Sequence, residues 1–456
     1  MKIIINIIIS TCLITVQLSA QGLIMEDEGM DLVPQRVSVG SKNMDTEIEN
    51  TYSVSLREYC PTPRNQGEDA NCVGWSVGYA AQTIRKAYAE DIKDIKKIDS
   101  FAFSPFFIYN NIKLKSCAMG AEIPEALQFL IRTGNVPMTS FEAGRTDCNA
   151  IPKNINYEEA LSYRIQDFTK LFSPKDSKQK KIKAVKESLI KGYPIVIAMN
   201  ILESFASMDY GTDQWYSETG SQVPAGGHAL VVIGYDELKN SFEVMNSWGD
   251  RWADDGFAFI DYDDFHKYVR YGFAFGETEE DPFSIMINFD RNIMITAEGK
   301  QYSEKELFRW SKNKYKLASS DYRPNSTYVL KIYHSQEDYK LYCFNASGSG
   351  NYKELFRIDG SEKELMTDMK SFGFTLPPLN FTDPSSERFL FLISDGELSS
   401  NEIEGIKTTG SVEAATELFQ DRVNTENRIL SYSRVAMTGD ISDNLMLVPI
   451  EFENKN

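Results

Sequence analysis

Four side chains of this 456-residue chain have the types and spacing for acyl transfer by a thiol: Gln66, Cys72, His228 and Asn246. A thiol attacks a carbonyl as thiolate. It therefore needs a base, a group to hold that base, and donors for the oxyanion that forms on attack. Cys72 follows a polar loop, RNQGEDAN, and opens a run of small and apolar residues. A helix beginning there would place positive potential at the sulfur and favour thiolate. Gln66, six residues earlier, could donate from its amide NH2 to an oxyanion beside the backbone N–H of Cys72. The chain has three His: His228, His266 and His334. His228 opens the apolar segment HALVVIGY, and Asn246 closes the next one, SFEVMN. Adjacent antiparallel strands would bring the two side by side. A neutral amide then orients the imidazole without adding charge, which suits a Cys–His ion pair.

The elements that must position these groups follow from periodicity. Val73, Val77, Ala80, Ala81, Ile84, Ala87 and Tyr88 recur at helical spacing, so the spacing predicts a helix from 72 to about 90. Two more helices are expected over 123–131 and 179–191, the latter with Ile182, Val185 and Leu189 on one face. Strands are expected over 193–199, 228–235, 241–246 and 256–260. A helix-rich half followed by a strand-rich half implies two subdomains with a cleft between them. Past the acidic stretch GETEEDP at 276–282, short strands over 328–333, 339–345 and 388–393 mark a separate β-rich region, 283–456. It holds no catalytic constellation and is a candidate binding or anchoring module.

With these residues in order, the chain resembles the papain-like (family C1) cysteine peptidases over roughly residues 51–276. The carrying features are Gln66-Gly67 with Cys72 at the family's interval, Gly227-His228-Ala229, Asn246-Ser247-Trp248-Gly249, and the stretch CAMGAEIPEAL from Cys117. The resemblance implies an α+β, papain-like two-subdomain fold, helical plus β-barrel-like, followed by the β-rich C-terminal domain. It implies Cys72 as nucleophile, His228 as general base and acid, Asn246 as its orienting group, Gln66 in the oxyanion hole, and Trp248 as cover over the His–Asn contact. It also makes Cys117 and Cys148 a plausible disulfide. The local sequence differs from the family signature: Ala70-Asn71-Cys72-Val73 has its aromatic displaced to Trp75, and Asp69 stands where many relatives have a Cys. These differences resemble bacterial exported members. The C-terminal region resembles a β-rich domain of unknown function found fused to bacterial peptidases.

The formal net charge is −18 and no basic residues cluster, which argues against a nucleic-acid partner. Lys2, the apolar run IIINIIISTCLITV and Gln17-Leu18-Ser19-Ala20 read as a signal peptide, 1–20, with cleavage near Ala20. The run is shorter than the roughly 20 residues a membrane span needs. The expected mature chain is therefore exported, periplasmic or extracellular, with no transmembrane segment. Residues 21–50 read as a flexible acidic leader. Five Cys follow the signal, and an odd number in an exported chain suggests a free thiol. His266 lies in DYDDFH, which lacks the turn Gly of a calcium loop and a second His; a solvated loop is expected, with no metal and no organic cofactor. The loop 203–225 is expected to wall the cleft, with Trp215 and Tyr216 as pocket residues. The expected partner is a peptide or protein substrate, with a further unknown partner for the C-terminal domain. Two other readings stand beside this one: a catalytically inactive peptidase-fold binding protein acting through its C-terminal domain, and a transglutaminase-like acyl transferase.

Overall fold

The computed structural model describes residues 22–275, except 26, 28, 29, 31, 32, 34, 36–41, 114, 115, 143–146 and 166, and within 283–452 chiefly its strands and helices. The expected signal peptide and the acidic stretch 276–282 lie outside the described residues.

The helical subdomain is built around one long helical run. It begins as α-helix at Cys72–Gly74, widens to a π-helix over Trp75–Gln82 and closes as α-helix over Thr83–Ala89. Helix Pro105–Ile112 packs on it, with Ser104 as N-cap accepting from the Phe107 N–H and Pro105 in the first turn, where a missing N–H costs nothing. Helix Ile123–Arg132 completes the layer. Gly78 allows the close approach: a Cβ there would stand 2.7 Å from Ile108 Cδ1 and 2.9 Å from Asn135 Nδ2.

The second subdomain is a sheet in the order Phe168–Phe172, Val269–Phe275, Ile195–Leu202, Pro224–Asp236, Ser241–Met245, Phe257–Asp261, Gln214–Trp215, with Ser53–Ser55 paired to Pro224–Asp236. Its pairs are antiparallel except that of Phe257–Asp261 with Gln214–Trp215, which is parallel. Ile195–Leu202 is buried at every position but Asn200, which is why its sequence is continuously apolar rather than alternating. Helix Lys178–Ile190, N-capped by Ser177, covers the sheet. One apolar core runs through both subdomains, joining Val73, Val77 and Leu127 to Ile197, Leu230 and Val244.

Two sequence expectations need correction. The DYDDFH segment is a helix, Tyr262–Tyr268, not a loop, because the Asp261 carboxylate caps it by accepting from the Asp263 N–H. The leader is not simply flexible. Leu23, Met30 and Val33 are buried in the peptidase core, and Lys42–Asn50 is helical.

The C-terminal region forms its own two sheets, one of eight strands and one of six among the described residues. In the six-stranded sheet Lys340–Ser347 pairs with Lys353–Asp359 and Glu387–Ser394. Helices Ser400–Lys407 and Val412–Glu417 contribute Ile406 and Ala415 to a separate core with Phe344, Leu390 and Leu447. Cys343 is fully buried there, and its thiol is pushed well up by burial, as befits a structural side chain. His334 ends a strand, Thr327–His334. No described helix is long and apolar enough to cross a membrane.

Candidate active site

Cys72 is the first residue of the long helical run, and Asn71 precedes it with non-helical backbone. One turn on, Ser76 Oγ donates to the Ala229 carbonyl at 2.7 Å, which fixes this helix to the strand that carries His228. His228 lies in Pro224–Asp236 opposite Met199, and Asn246 follows directly on the neighbouring strand Ser241–Met245. The two side chains meet: His228 Nε2 is 2.9 Å from Asn246 Oδ1.

The direction of that bond sets the imidazole tautomer. Asn246 Oδ1 also accepts from the Ser247 N–H at 2.8 Å. Flipping the amide would set NH2 against that N–H, donor against donor. Oδ1 therefore faces the ring, His228 Nε2 carries the proton, and Nδ1 keeps its lone pair. Nδ1 is buried and makes no hydrogen bond, so it is available as a base. The Trp248 ring stacks on the imidazole at 4.5 Å and 17°, and is itself held by Phe205 and Trp252. Trp248 thus screens the His–Asn contact from water.

Gln66 is nearly buried and tied to the same segment. Its backbone N–H donates to the Ser247 carbonyl at 2.7 Å, its Oε1 accepts from Ser247 Oγ at 2.6 Å, and its Nε2 donates to the Asp69 carbonyl at 3.2 Å. A cavity of about 590 Å³ opens beside it, lined by Arg64, Gln66, Trp75, Met138, Trp248 and Arg251 among others. On another side a disulfide joins Cys117 to Cys148, with Cα atoms 5.8 Å apart. The Cys117 carbonyl accepts from the Ala70 N–H at 3.0 Å, which couples this loop to the turn before Cys72. The pocket residues expected from the sequence are placed elsewhere. Trp215 is 2% exposed, packs between Phe205 and Tyr268, and donates to Ser204 Oγ, so it is a core side chain and not a pocket wall. Tyr216 is 46% exposed and does not line this cavity.

The groove at the thiol is filled by the chain's own leader. Ala121 donates to the Gly22 carbonyl at 2.9 Å and accepts from the Ile24 N–H at 3.1 Å, a parallel bridge centred on Leu23. Leu23 O and the Met25 side chain lie against Gly227, the neighbour of His228. A Cβ on Gly22 or Gly120 would collide with backbone, so side-chain-free residues are needed for this approach. Farther along, Arg270 holds both oxygens of Asp27 at 2.9 and 3.0 Å, Tyr271 donates to Asp27 at 2.8 Å, and Lys170 Nζ donates to the Met30 carbonyl at 2.9 Å. The leader thus docks through main-chain bonds at Gly22 and Ile24, buried side chains at Leu23, Met30 and Val33, and the Asp27 carboxylate.

Under this cover Cys72 and His228 have no exposed surface. Burial pushes the Cys72 thiol up to about 11, against opposing backbone donors that include Ala229 and Gly22. Burial pushes His228 down to about 4, against the Asn246 bond. Between those limits both groups are neutral, so the covered site holds a thiol and an imidazole rather than an ion pair.

Two outcomes follow for the leader. Leu23→Asp places a carboxylate in a buried apolar contact, at a cost of several kcal/mol, and should raise the iodoacetamide labelling rate of Cys72 at least about tenfold. An unchanged rate would mean that the leader does not limit access. The pH dependence has a definite sign. His228 is depressed while covered and returns toward 6.5 once wet, so its contribution to the covered state is present above that value and lost as pH falls from 6.5 toward about 4. Amide-exchange protection at Ile24 should therefore fall between pH 7 and pH 4.5. Constant protection across that range would contradict it.

Residues 106–269 match the family described as papain family cysteine protease, a span that contains His228 and Asn246. Cys72 and Gln66 precede it and enter the site through the contacts above. An uncharacterized peptidase C1-like protein of Acanthamoeba polyphaga mimivirus is 29% identical over 241 residues, covering 50% of this chain and 73% of that protein. Cathepsin K of Gallus gallus is 22% identical over 190 residues, covering 39% of this chain and 56% of the relative. Among solved structures, xylellain, a cysteine protease from Xylella fastidiosa, superposes with a TM-score of 0.44 at 19% identity over 57% of this chain and 96% of its own. Over residues 106–269 the chain thus matches the papain-family cysteine proteases, and its reaction class is that of a cysteine-type peptidase.

Proposed function

We propose that the protein is an exported peptidase that hydrolyses peptide bonds through a Cys72 thioester. In the first half-reaction His228 Nδ1 takes the thiol proton as Sγ bonds to the substrate carbonyl carbon. The displaced π-electron pair gives an oxyanion, received by Gln66 Nε2 and the Cys72 N–H. The imidazolium then protonates the amine as the C–N bond breaks, leaving the thioester. In the second half-reaction Nδ1 takes a proton from water, hydroxide adds to the thioester, and Sγ departs and regains a proton, releasing the carboxylic acid. Asn246 keeps Nδ1 in line throughout.

One observation carries this reading: His228 Nε2 is engaged by an Asn246 oxygen whose orientation is already fixed, which leaves Nδ1 as a free base on a strand bonded to the helix of Cys72. Export is supported by the apolar run behind Lys2 and the small residues ending at Ala20. The peptide groove is the one the leader fills, and the C-terminal domain is read as a module for a further partner.

The test is a fluorogenic peptide library presented to purified full-length protein, with thiol-directed inhibition as the control. Hydrolysis blocked by alkylation of Cys72 is the expected result. Amine incorporation faster than hydrolysis would favour a transglutaminase-like transferase. No thiol-dependent turnover, with Leu23→Asp protein equally silent, would favour the binding-protein reading.

A further inference from the structure

We propose that Arg64 and Arg251 make the leaving-group side of the site a carboxylate-taking subsite, so that peptides with an anionic group just beyond the scissile bond are preferred. The inference rests on the reading of His228 as the acid that protonates the departing amine, which places the leaving half of the substrate on the imidazole's side. The Trp248 ring stacks on that imidazole, and the same ring lines the cavity of about 590 Å³ beside Gln66. The rest of the groove, along Ala121 and Gly227, is where the leader lies, and no described leader residue lines the cavity. Its volume falls in the range of about 300–1,000 Å³ usual for ligand clefts.

The walls decide which chemistry fits. Trp75 and Phe106, in edge contact at 5.7 Å, and Met138 make one wall apolar. Arg64 is half-buried beside it, with Nη1 3.3 Å from Met138 Sδ and its guanidinium 5.8 Å from the centre of the Tyr79 ring. A thioether is a weak acceptor and neither neighbour is anionic, so the charge is not neutralised where it stands. Arg251 follows the Trp248 segment and is exposed. Among the described residues neither guanidinium has a carboxylate partner. The chain has 66 acidic residues to 48 basic ones, and other arginines are paired: Arg57 holds Glu243 and Asp254, and Arg270 holds Asp27. The cavity's own carboxylates are engaged elsewhere. That of Asp69 lies within 4.8 Å of both sulfurs of the Cys117–Cys148 disulfide, and burial, then Glu68, pushes it up. Asp250 is exposed and bears on Tyr210. A guanidinium takes a carboxylate through two parallel charge-assisted bonds, and an apolar wall strengthens them by lowering the local dielectric.

The test uses purified full-length protein and internally quenched peptides that share the best acyl half and differ in the first two leaving-group residues. Asp and Glu are compared with Asn and Gln in C-terminally amidated peptides. A neutral leaving half ending in a free carboxylate is compared with its own amide, which separates a side-chain carboxylate from a chain terminus. In at least one of these two arms the carboxylate peptide should exceed its amide by about tenfold in kcat/KM at low salt, and by less at about 1 M salt. Arg251→Gln, an exposed change that the fold should tolerate, is expected to shrink the ratio, and Arg64→Gln/Arg251→Gln to bring it to about one. Arg251→Lys keeps the charge without the fork, so it should retain about threefold. Ratios under about twofold in both arms, a preference for Lys at these positions, or a carboxylate preference intact in the double Gln variant would each overturn the proposal. Silence toward every peptide would sink the hydrolase reading and this inference with it, whereas hydrolysis without discrimination sinks this inference alone.

Discussion

His228→Ala should lower kcat at pH 7 by about 10³- to 10⁴-fold, with KM nearly unchanged. The reason lies in what remains. His228 is bonded to the Asn246 amide and stacked under Trp248. Without it the thiol has no base and must rely on its own ionisation, near 8.5 when solvated and about 11 when covered. The variant's residual rate should therefore climb with pH up to the thiol's own range, where wild type already rises at lower pH as His228 Nδ1 loses its proton and becomes the base. The imidazole contributes no surface to a bound peptide, so binding should change little. A loss smaller than tenfold, or a pH profile identical to wild type, would show that another group takes the proton. Circular dichroism in the aromatic region would separate loss of the base from loss of the Trp248 packing.

Much of the site is legible in the sequence because Cys72 and Asn246 stand at the ends of elements and His228 lies on the strand that pairs with the one before Asn246. Cys72 starts a helix, His228 lies on a strand, Asn246 follows the next strand, and short connections leave those strands little choice but to pair. The apolar helices and buried strands read clearly for the same reason: their periodicity reflects the core they face. The π-helical stretch Trp75–Gln82 is not legible, since one wider turn leaves the side-chain pattern almost intact. The helix at Tyr262–Tyr268 carried a signal that was outweighed: Asp261 is a good N-cap, but the run of carboxylates around it reads equally as a solvated loop. Trp215 illustrates the opposite error. It lies in a Gly- and Ser-containing polar loop, yet the loop folds its indole inward onto Phe205. The leader is the largest omission. Its docking combines main-chain bonds of Gly22 and Ile24, which leave little trace in residue type, with a few buried side chains and the Asp27–Arg270 ion pair, too few to form a pattern. Ser247 lies inside the Asn-Ser-Trp-Gly motif, but its bond to Gln66, 181 residues away, shows only in the fold.

Cys72→Ala tests the central claim most directly. The substitution removes the nucleophile and little volume, and the Ser76–Ala229 bond that anchors the helix stays intact. Folding should therefore survive, with the aromatic circular dichroism of wild type. Hydrolysis by the purified variant of the best peptide from the library is expected to fall to the rate of buffer alone. Turnover above that background, in protein free of wild-type carry-over, would contradict the account.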